Sequence, residues 1–188
     1  MKMKMAPTLI ALAIAAMGTT TAQAADDWYT GMGAGWAYGH DLDTFGQDAD
    51  KDATALSLFG GYNFTENFAA ELGYLYAGKA GVDGVDFKTQ GATLSGIARL
   101  PMNDIFSVFA EGGAYFNHVN GNGQSDNGTS PLAGLGLTAK LSDLIDLQAR
   151  YRYMWDLGDD QKTWKTDMSV ATLELVMHPN RTTYVAPA

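Results

Sequence analysis

The sequence contains no cysteine, which excludes a disulfide framework and any thiolate site. Basic residues are scarce: 12 Lys and Arg stand against 21 Asp and Glu, for a net charge of −9. That balance excludes a nucleic-acid partner, which needs a basic footprint. Beyond Met17 no apolar run approaches the roughly 18 residues of a membrane-spanning helix. What is plentiful is glycine, at 22 residues, and aromatic side chains, at 11%.

The N-terminus sets the compartment. Met1-Lys2-Met3-Lys4 is a short positive region, Met5 to Met17 is an apolar stretch broken only by Pro7 and Thr8, and Ala22-Gln23-Ala24 is an A-x-A cleavage site. This three-part layout is that of a secretory signal peptide over 1–24, with the mature chain beginning at Ala25. Its apolar core is too short and wrongly flanked to stay in a membrane as a helix. The remainder has single-domain length, and an exported chain rich in glycine and aromatics, with no helical span, suggests β structure.

Eight stretches of about ten residues alternate with a period of two, near 28–38, 54–64, 68–77, 91–100, 105–116, 132–141, 146–155 and 168–177. Short turns separate some of them, at Thr65-Glu66-Asn67, Pro101-Met102-Asn103-Asp104 and Ser142-Asp143-Leu144-Ile145. Long polar segments separate the others, at 39–53, 78–90, 117–131 and 156–167. Short turns at one end and long loops at the other describe an antiparallel meander of the outer-membrane type.

One face of every strand carries no charge: Trp28, Thr30, Met32, Ala34, Trp36 and Tyr38 in the first, Leu147, Ala149, Tyr151, Tyr153 and Trp155 in the seventh. The other face is small or polar, with Gly31, Gly33, Gly35, Ser57, Gly61, Gly73, Thr93, Ser95, Gly113, Gly134, Gly136 and Thr138. Scattered on that face are Glu71, Arg99, Glu111, Lys140, Arg150, Arg152 and Glu174. A soluble ligand-binding barrel puts apolar residues inside and covers its outside with charge. The polar face here is too small and too sparsely charged for that. With the apolar face to lipid and the polar face to a narrow lumen the pattern fits, and closure pairs every strand edge, as the hydrocarbon requires. The expected fold is all-β, an eight-stranded antiparallel up-and-down transmembrane barrel over 25–178, with a tail at 179–188. Aromatics gather at strand ends, and Trp28, Trp36, Tyr62, Tyr74, Tyr76, Tyr151, Tyr153 and Trp155 are assigned to interfacial girdles.

Several short segments carry a resemblance: Trp28-Tyr29-Thr30-Gly31 with Gly35-Trp36, Phe59-Gly60-Gly61-Tyr62, Glu71-Leu72-Gly73-Tyr74, Gln90-Gly91, Thr129-Ser130-Pro131, Trp155 and Leu157-Gly158-Asp159. In this order they resemble the N-terminal transmembrane domain of the outer membrane protein A family. The resemblance implies a barrel that supports envelope integrity, loops that adhesins, phages or antibodies use, and at most a narrow, gated pore. It implies outer-membrane lipid, lipopolysaccharide and the barrel-assembly machinery as surroundings. In that family charged lumen residues pair to plug the barrel. Glu71 and Arg150 fall on matching positions. The family's lysine aligns with Ile97, with Arg99 one residue pair along, and its second glutamate aligns with Thr138, with Lys140 one pair along. Members usually end the last strand on an aromatic residue, where this chain has Met177-His178-Pro179. Full-length members continue into a peptidoglycan-binding domain, and Tyr184 to Ala188 resembles the beginning of the Pro/Ala-rich hinge that leads there.

Catalytic readings are weaker. Glu71, Glu111 and Glu174 share their face with four basic residues, so mutual neutralisation outweighs an acid/base set. An outer-membrane lipid A palmitoyltransferase is the alternative from another class. Its set here would draw on His40, or on His118 with Asp126 and Ser125 or Ser130, but no spacing motif links them. Asp41, Asp43, Asp48, Asp50 and Asp52 crowd the first loop without EF-hand spacing, so a solvated acidic loop is expected. Gly31-Met32-Gly33-Ala34-Gly35 lies in a strand and not before a helix, so it makes room in the lumen and is no phosphate loop. Asn63-Phe64-Thr65 and Asn127-Gly128-Thr129 are chance sequons. No enzyme activity, cofactor or metal is expected.

Overall fold

The computed structural model describes residues 27–39, 52–82, 85–121, 124–157 and 166–180. The signal sequence, His40, the Asp-rich stretch and the tail beyond Asn180 lie outside the described residues. Eight strands follow in order: β1 Asp27–Gly39, β2 Asp52–Asn63, β3 Phe68–Val82, β4 Val85–Pro101, β5 Phe106–Gly121, β6 Gln124–Lys140, β7 Ile145–Leu157 and β8 Thr166–Met177. Each pairs antiparallel with the next, and β8 returns to β1 from Thr30 opposite Met177 to Gly39 opposite Met168. Closure gives every strand a neighbour on each side, so where the registers overlap the backbone donors and acceptors of the wall pair with one another away from water.

The three short turns share one device. Thr65, Asn103 and Ser142 each accept, on the side-chain oxygen, the backbone N–H groups two and three residues on, at 2.8–3.3 Å. A side chain thus replaces the ladder partner that the reversing backbone loses.

At the other end the structure corrects the expected loops. β3 and β4 continue to Val82 and Val85, and β5 and β6 to Gly121 and Gln124. The segments 78–90 and 117–131 are therefore mostly hairpin, and polar composition there concealed the pairing. Gly78, at φ +77°, marks a shift of register between Tyr76 and Lys79, a conformation that glycine adopts without strain. Twelve residues of strand, rising about 3.3 Å each and tilted about 40°, span about 30 Å, which already crosses the hydrocarbon. The 15 to 17 residues of β3, β4, β5 and β6 exceed that need.

The wall is apolar outside. Met32, Leu58, Leu72, Leu94, Leu135 and Leu173 are exposed. Trp28, Trp36, Tyr74, Tyr151 and Trp155 are exposed near the strand ends, while Tyr62, Tyr76 and Tyr153 are half-buried. Trp28 and Tyr62 touch at 4.8 Å between ring centres, Tyr62 and Phe64 at 5.3 Å, and Tyr153 and Trp155 at 5.1 Å. Inside, the expectation of a small or polar face needs correction. The inward positions also hold Tyr29, Phe59, Leu75, Ile97, Phe109, Tyr115, Leu132, Met154, Val170 and Val176, all buried.

Leu72 and Leu135 lie on the outer face, midway along the parts of β3 and β6 that pair on both sides. Leu72→Arg and Leu135→Arg are each expected to cost about 2–4 kcal/mol in lipid vesicles, read from the denaturant midpoint. Costs within about 0.5 kcal/mol, as on a wetted surface, would contradict the assignment of that face to lipid.

Candidate functional site

Halfway along the lumen, five of the seven charged residues picked out in the sequence come together. Glu71 enters from β3, Glu111 from β5, Arg150 and Arg152 from β7, and Glu174 from β8, all buried. Arg150 is the hub. Its Nη1 and Nη2 donate to Glu71 Oε2 and Oε1 at 2.6 and 3.1 Å, and Nη1 also donates to Glu111 Oε2 at 3.2 Å. Arg150 Nε lies 3.1 Å from Glu174 Oε2 as an ion contact without hydrogen-bond alignment. Arg152 Nε donates to both oxygens of Glu111, at 3.2 and 3.0 Å. Its terminal nitrogens stand 3.9 Å from Glu71 and 4.0 Å from Glu174.

Three carboxylates thus face two guanidiniums, and neutral donors supply further hydrogen bonds. Tyr29 donates to Glu71 at 2.9 Å. Ser57, Thr172 and Gln148 donate to Glu174 at 3.0, 2.9 and 2.8 Å. Thr138 in turn donates to Gln148 at 3.2 Å. Arg150 is also bracketed by rings, its guanidinium carbon 4.7 Å from the Phe59 centre and 5.2 Å from that of Phe109. Such contacts favour a guanidinium removed from water.

The register explains how these side chains meet across strands that do not touch. Tyr29, Gly61 and Glu71 lie in one row of β1, β2 and β3, and a Cβ on Gly61 would stand 2.2 Å from the Tyr29 ring. Ser57, Gly33 and Glu174 form a second row, and Glu111, Gly134 and Arg152 a third. A Cβ on Gly33 would meet Glu174 at 2.4 Å, and one on Gly134 would meet Glu111 at 3.1 Å. Phe109, Gly136 and Arg150 make a fourth row. In each row the central glycine leaves the gap through which its two neighbours make contact.

Apolar layers close the lumen above and below this belt. Towards the long connections lie Leu75, Tyr115, Leu132, Met154 and Val170, and towards the short turns lie Tyr29, Phe59, Ile97, Phe109 and Val176.

Arg99 and Lys140 stand apart from the network. Arg99 donates to Asn63 Oδ1 at 3.2 Å near the short-turn end, with its guanidinium 5.9 Å from the Tyr29 ring. Lys140 pairs at 2.9 Å with Asp143 on an exposed turn. Both follow the inward alternation, but each lies at the turn end of its strand, outside the belt. Sequence reasoning put Ser57 on this face without assigning it to the network, and missed Tyr29, Gln148 and Thr172. Their parity with the charged residues was the available signal. His118 belongs to β5, opposite Asn127, and Ser130 is buried, its Oγ accepting from Asn117 Nδ2 at 3.1 Å. Among the described residues no group of His, Asp and Glu has the arrangement of a metal site.

A closed antiparallel wall of eight strands, apolar without and charged within, defines an outer-membrane β-barrel. The chain belongs to the family described as OmpA-like transmembrane domain, which matches residues 23–183. It is 31% identical over 182 residues to outer membrane protein A of Serratia marcescens, covering 82% of this chain and 51% of the relative. It is 25% identical over 153 residues to outer membrane protein A of Klebsiella pneumoniae, covering 70% and 44%. The chain therefore spans about half the length of these curated relatives. Among solved structures, Neisserial surface protein A is similar in fold with a TM-score of 0.65, at 17% identity, covering 80% of this chain and 96% of that one. Ail, the attachment invasion locus protein of Yersinia pestis, gives 0.56 at 18% identity, covering 81% and 97%. The protein is located in the outer membrane.

Removing one partner from a buried pair leaves an uncompensated charge. Arg150→Ala is expected to lower stability by about 3–5 kcal/mol in detergent micelles, whereas Lys140→Ala, which breaks an exposed pair, stays within about 1 kcal/mol. Equal denaturation midpoints for the two variants would contradict the central place of Arg150.

Proposed function

We propose that the barrel is a closed anchor, without catalysis, that holds its long connections at the cell surface, where they support envelope integrity and recognise outside partners. The observation that supports this reading is the paired charge layer between two apolar layers, which leaves the connections as the surface open to outside partners. Outer-membrane lipid, lipopolysaccharide and the barrel-assembly machinery are the surroundings proposed for it, and residues 1–24 the cleaved export signal. Ail, similar in fold, has been solved with the heparin analogue sucrose octasulfate. In this chain Asp41, Asp43, Asp48 and Asp50 make a polyanion a poor fit for the first connection, and neutral or cationic partners a better one.

The channel alternative turns on the same belt: a narrow pore opens only if the pairing around Arg150 rearranges. In planar bilayers the wild type is expected to show no steady current, and Glu71→Gln to raise the frequency of small openings. Large, steady wild-type currents would contradict the closed anchor. Mass spectrometry of protein from isolated outer membranes should find Ala25 at the N-terminus, and a retained Met1 would contradict the export signal.

A further inference from the structure

His178 is the first residue beyond β8, and its ring turns back into the barrel mouth. It is 1% exposed. Its backbone N–H donates to Leu144 O at 2.9 Å, and its Nε2 stands 3.1 Å from Asp146 Oδ2 on β7. The imidazole stacks on Tyr29 of β1, with ring centres 5.3 Å apart and planes at 29°. Three contacts therefore tie this one residue to the last turn, the seventh strand and the first strand.

Tyr29 has little freedom elsewhere. Gly61 leaves its ring no spare room on β2, Phe59 meets it edge-on at 6.5 Å, and the Arg99 guanidinium stands 5.9 Å away. Its hydroxyl donates to Glu71 Oε1, the oxygen that also accepts from Arg150 Nη2. Three contacts thus lead from His178 to the hub, with Tyr29 and Glu71 between. Pro179 follows at once. Its ring fixes its own φ and restricts the backbone of His178, so a displacement of the chain beyond is not absorbed there.

We propose that His178 couples the chain that follows the barrel to the charged layer in the lumen, with Tyr29 as the connecting residue. When His178 is drawn out of the mouth, the support under the Tyr29 ring is lost, the ring tilts, and the hydroxyl releases Glu71 Oε1. The Glu71–Arg150 pair then loses the neutral donor that fixes its geometry. The segment beyond the barrel thereby influences how firmly the lumen is plugged. This rests on the reading of a lumen closed at rest.

The test uses the full mature chain in lipid nanodiscs, with the Arg150 side-chain Nε–Hε resonance as readout and heat-dependent gel mobility as the check of folding. Tyr29→Phe, which keeps the stack and removes the hydroxyl, should move that resonance. His178→Ala should move it in the same direction, and should add nothing further in the Tyr29→Phe background. His178→Phe, which restores a ring without the Asp146 contact, should return most of the wild-type position. An unmoved resonance in His178→Ala overturns the coupling, as does an equal shift with and without the Tyr29 hydroxyl. Should His178→Ala fail to fold, His178→Leu, which fills the mouth without a flat ring to stack on Tyr29, carries the test. A shift that disappears in the Tyr29→Phe background supports the coupling, and no shift overturns it. Steady wild-type currents would remove the closed-lumen reading alone, because the resonance reports the coupling whether or not ions pass.

Discussion

A guanidinium enclosed in a narrow barrel has to be met by carboxylates, and in this molecule Arg150 is met from three strands at once. The cost of removing charges from water is several kcal/mol per ion, and only close, hydrogen-bonded pairing offsets it. Glu71, Glu111 and Glu174 supply that pairing, while Tyr29, Ser57, Thr172 and Gln148 give the carboxylates of Glu71 and Glu174 further hydrogen bonds. The register of the whole wall is bound up with this cluster. A slip of one residue in any of β3, β5, β7 or β8 would carry a charge to the lipid face and an uncharged neighbour into its place.

Glycine makes the cluster possible. Side chains on next-but-one strands meet only where the strand between them offers no Cβ. Gly33, Gly61, Gly134 and Gly136 provide those gaps in four separate rows. Packing and electrostatics are therefore one design: the same absent side chains that let Tyr29 and Phe109 lie flat in the lower layer also let carboxylates and guanidiniums reach one another above it. The apolar layers above and below exclude water, which strengthens each ion pair and makes an unpaired charge costly.

Much of this was legible in the residues. Alternation along strands such as Trp28 to Tyr38 and Leu147 to Trp155 fixes both the fold and which face meets lipid, because a period of two assigns every side chain to one side of the wall. Glu71, Glu111, Arg150, Arg152 and Glu174 were visible as inward charges on the same ground. Parity carries no height, however, so Arg99 and Lys140 could not be told from the belt until the strand registers were known. Nor does alternation reveal the hairpin pairing in 78–90 and 117–131, where the sequence is polar and carries no apolar period of two. The role of His178 was hidden because it depends on Asp146 and Leu144, which the pairing of β7 with β8 brings to it, and on Tyr29, which only the closure of the barrel brings.

The account comes down to a lumen sealed by its own side chains, and the absence of native cysteine makes that directly measurable. Ser95 faces the lumen opposite Glu71 in register and is buried, while Met102 is exposed on a short turn. Ser95→Cys and Met102→Cys would be treated, in folded protein in nanodiscs open to solution at both ends, with a charged thiol reagent. The account predicts rapid labelling at 102 and none at 95 until the protein is unfolded. Labelling at both positions at comparable rates would contradict it, since water and ions would then reach the layer around Arg150.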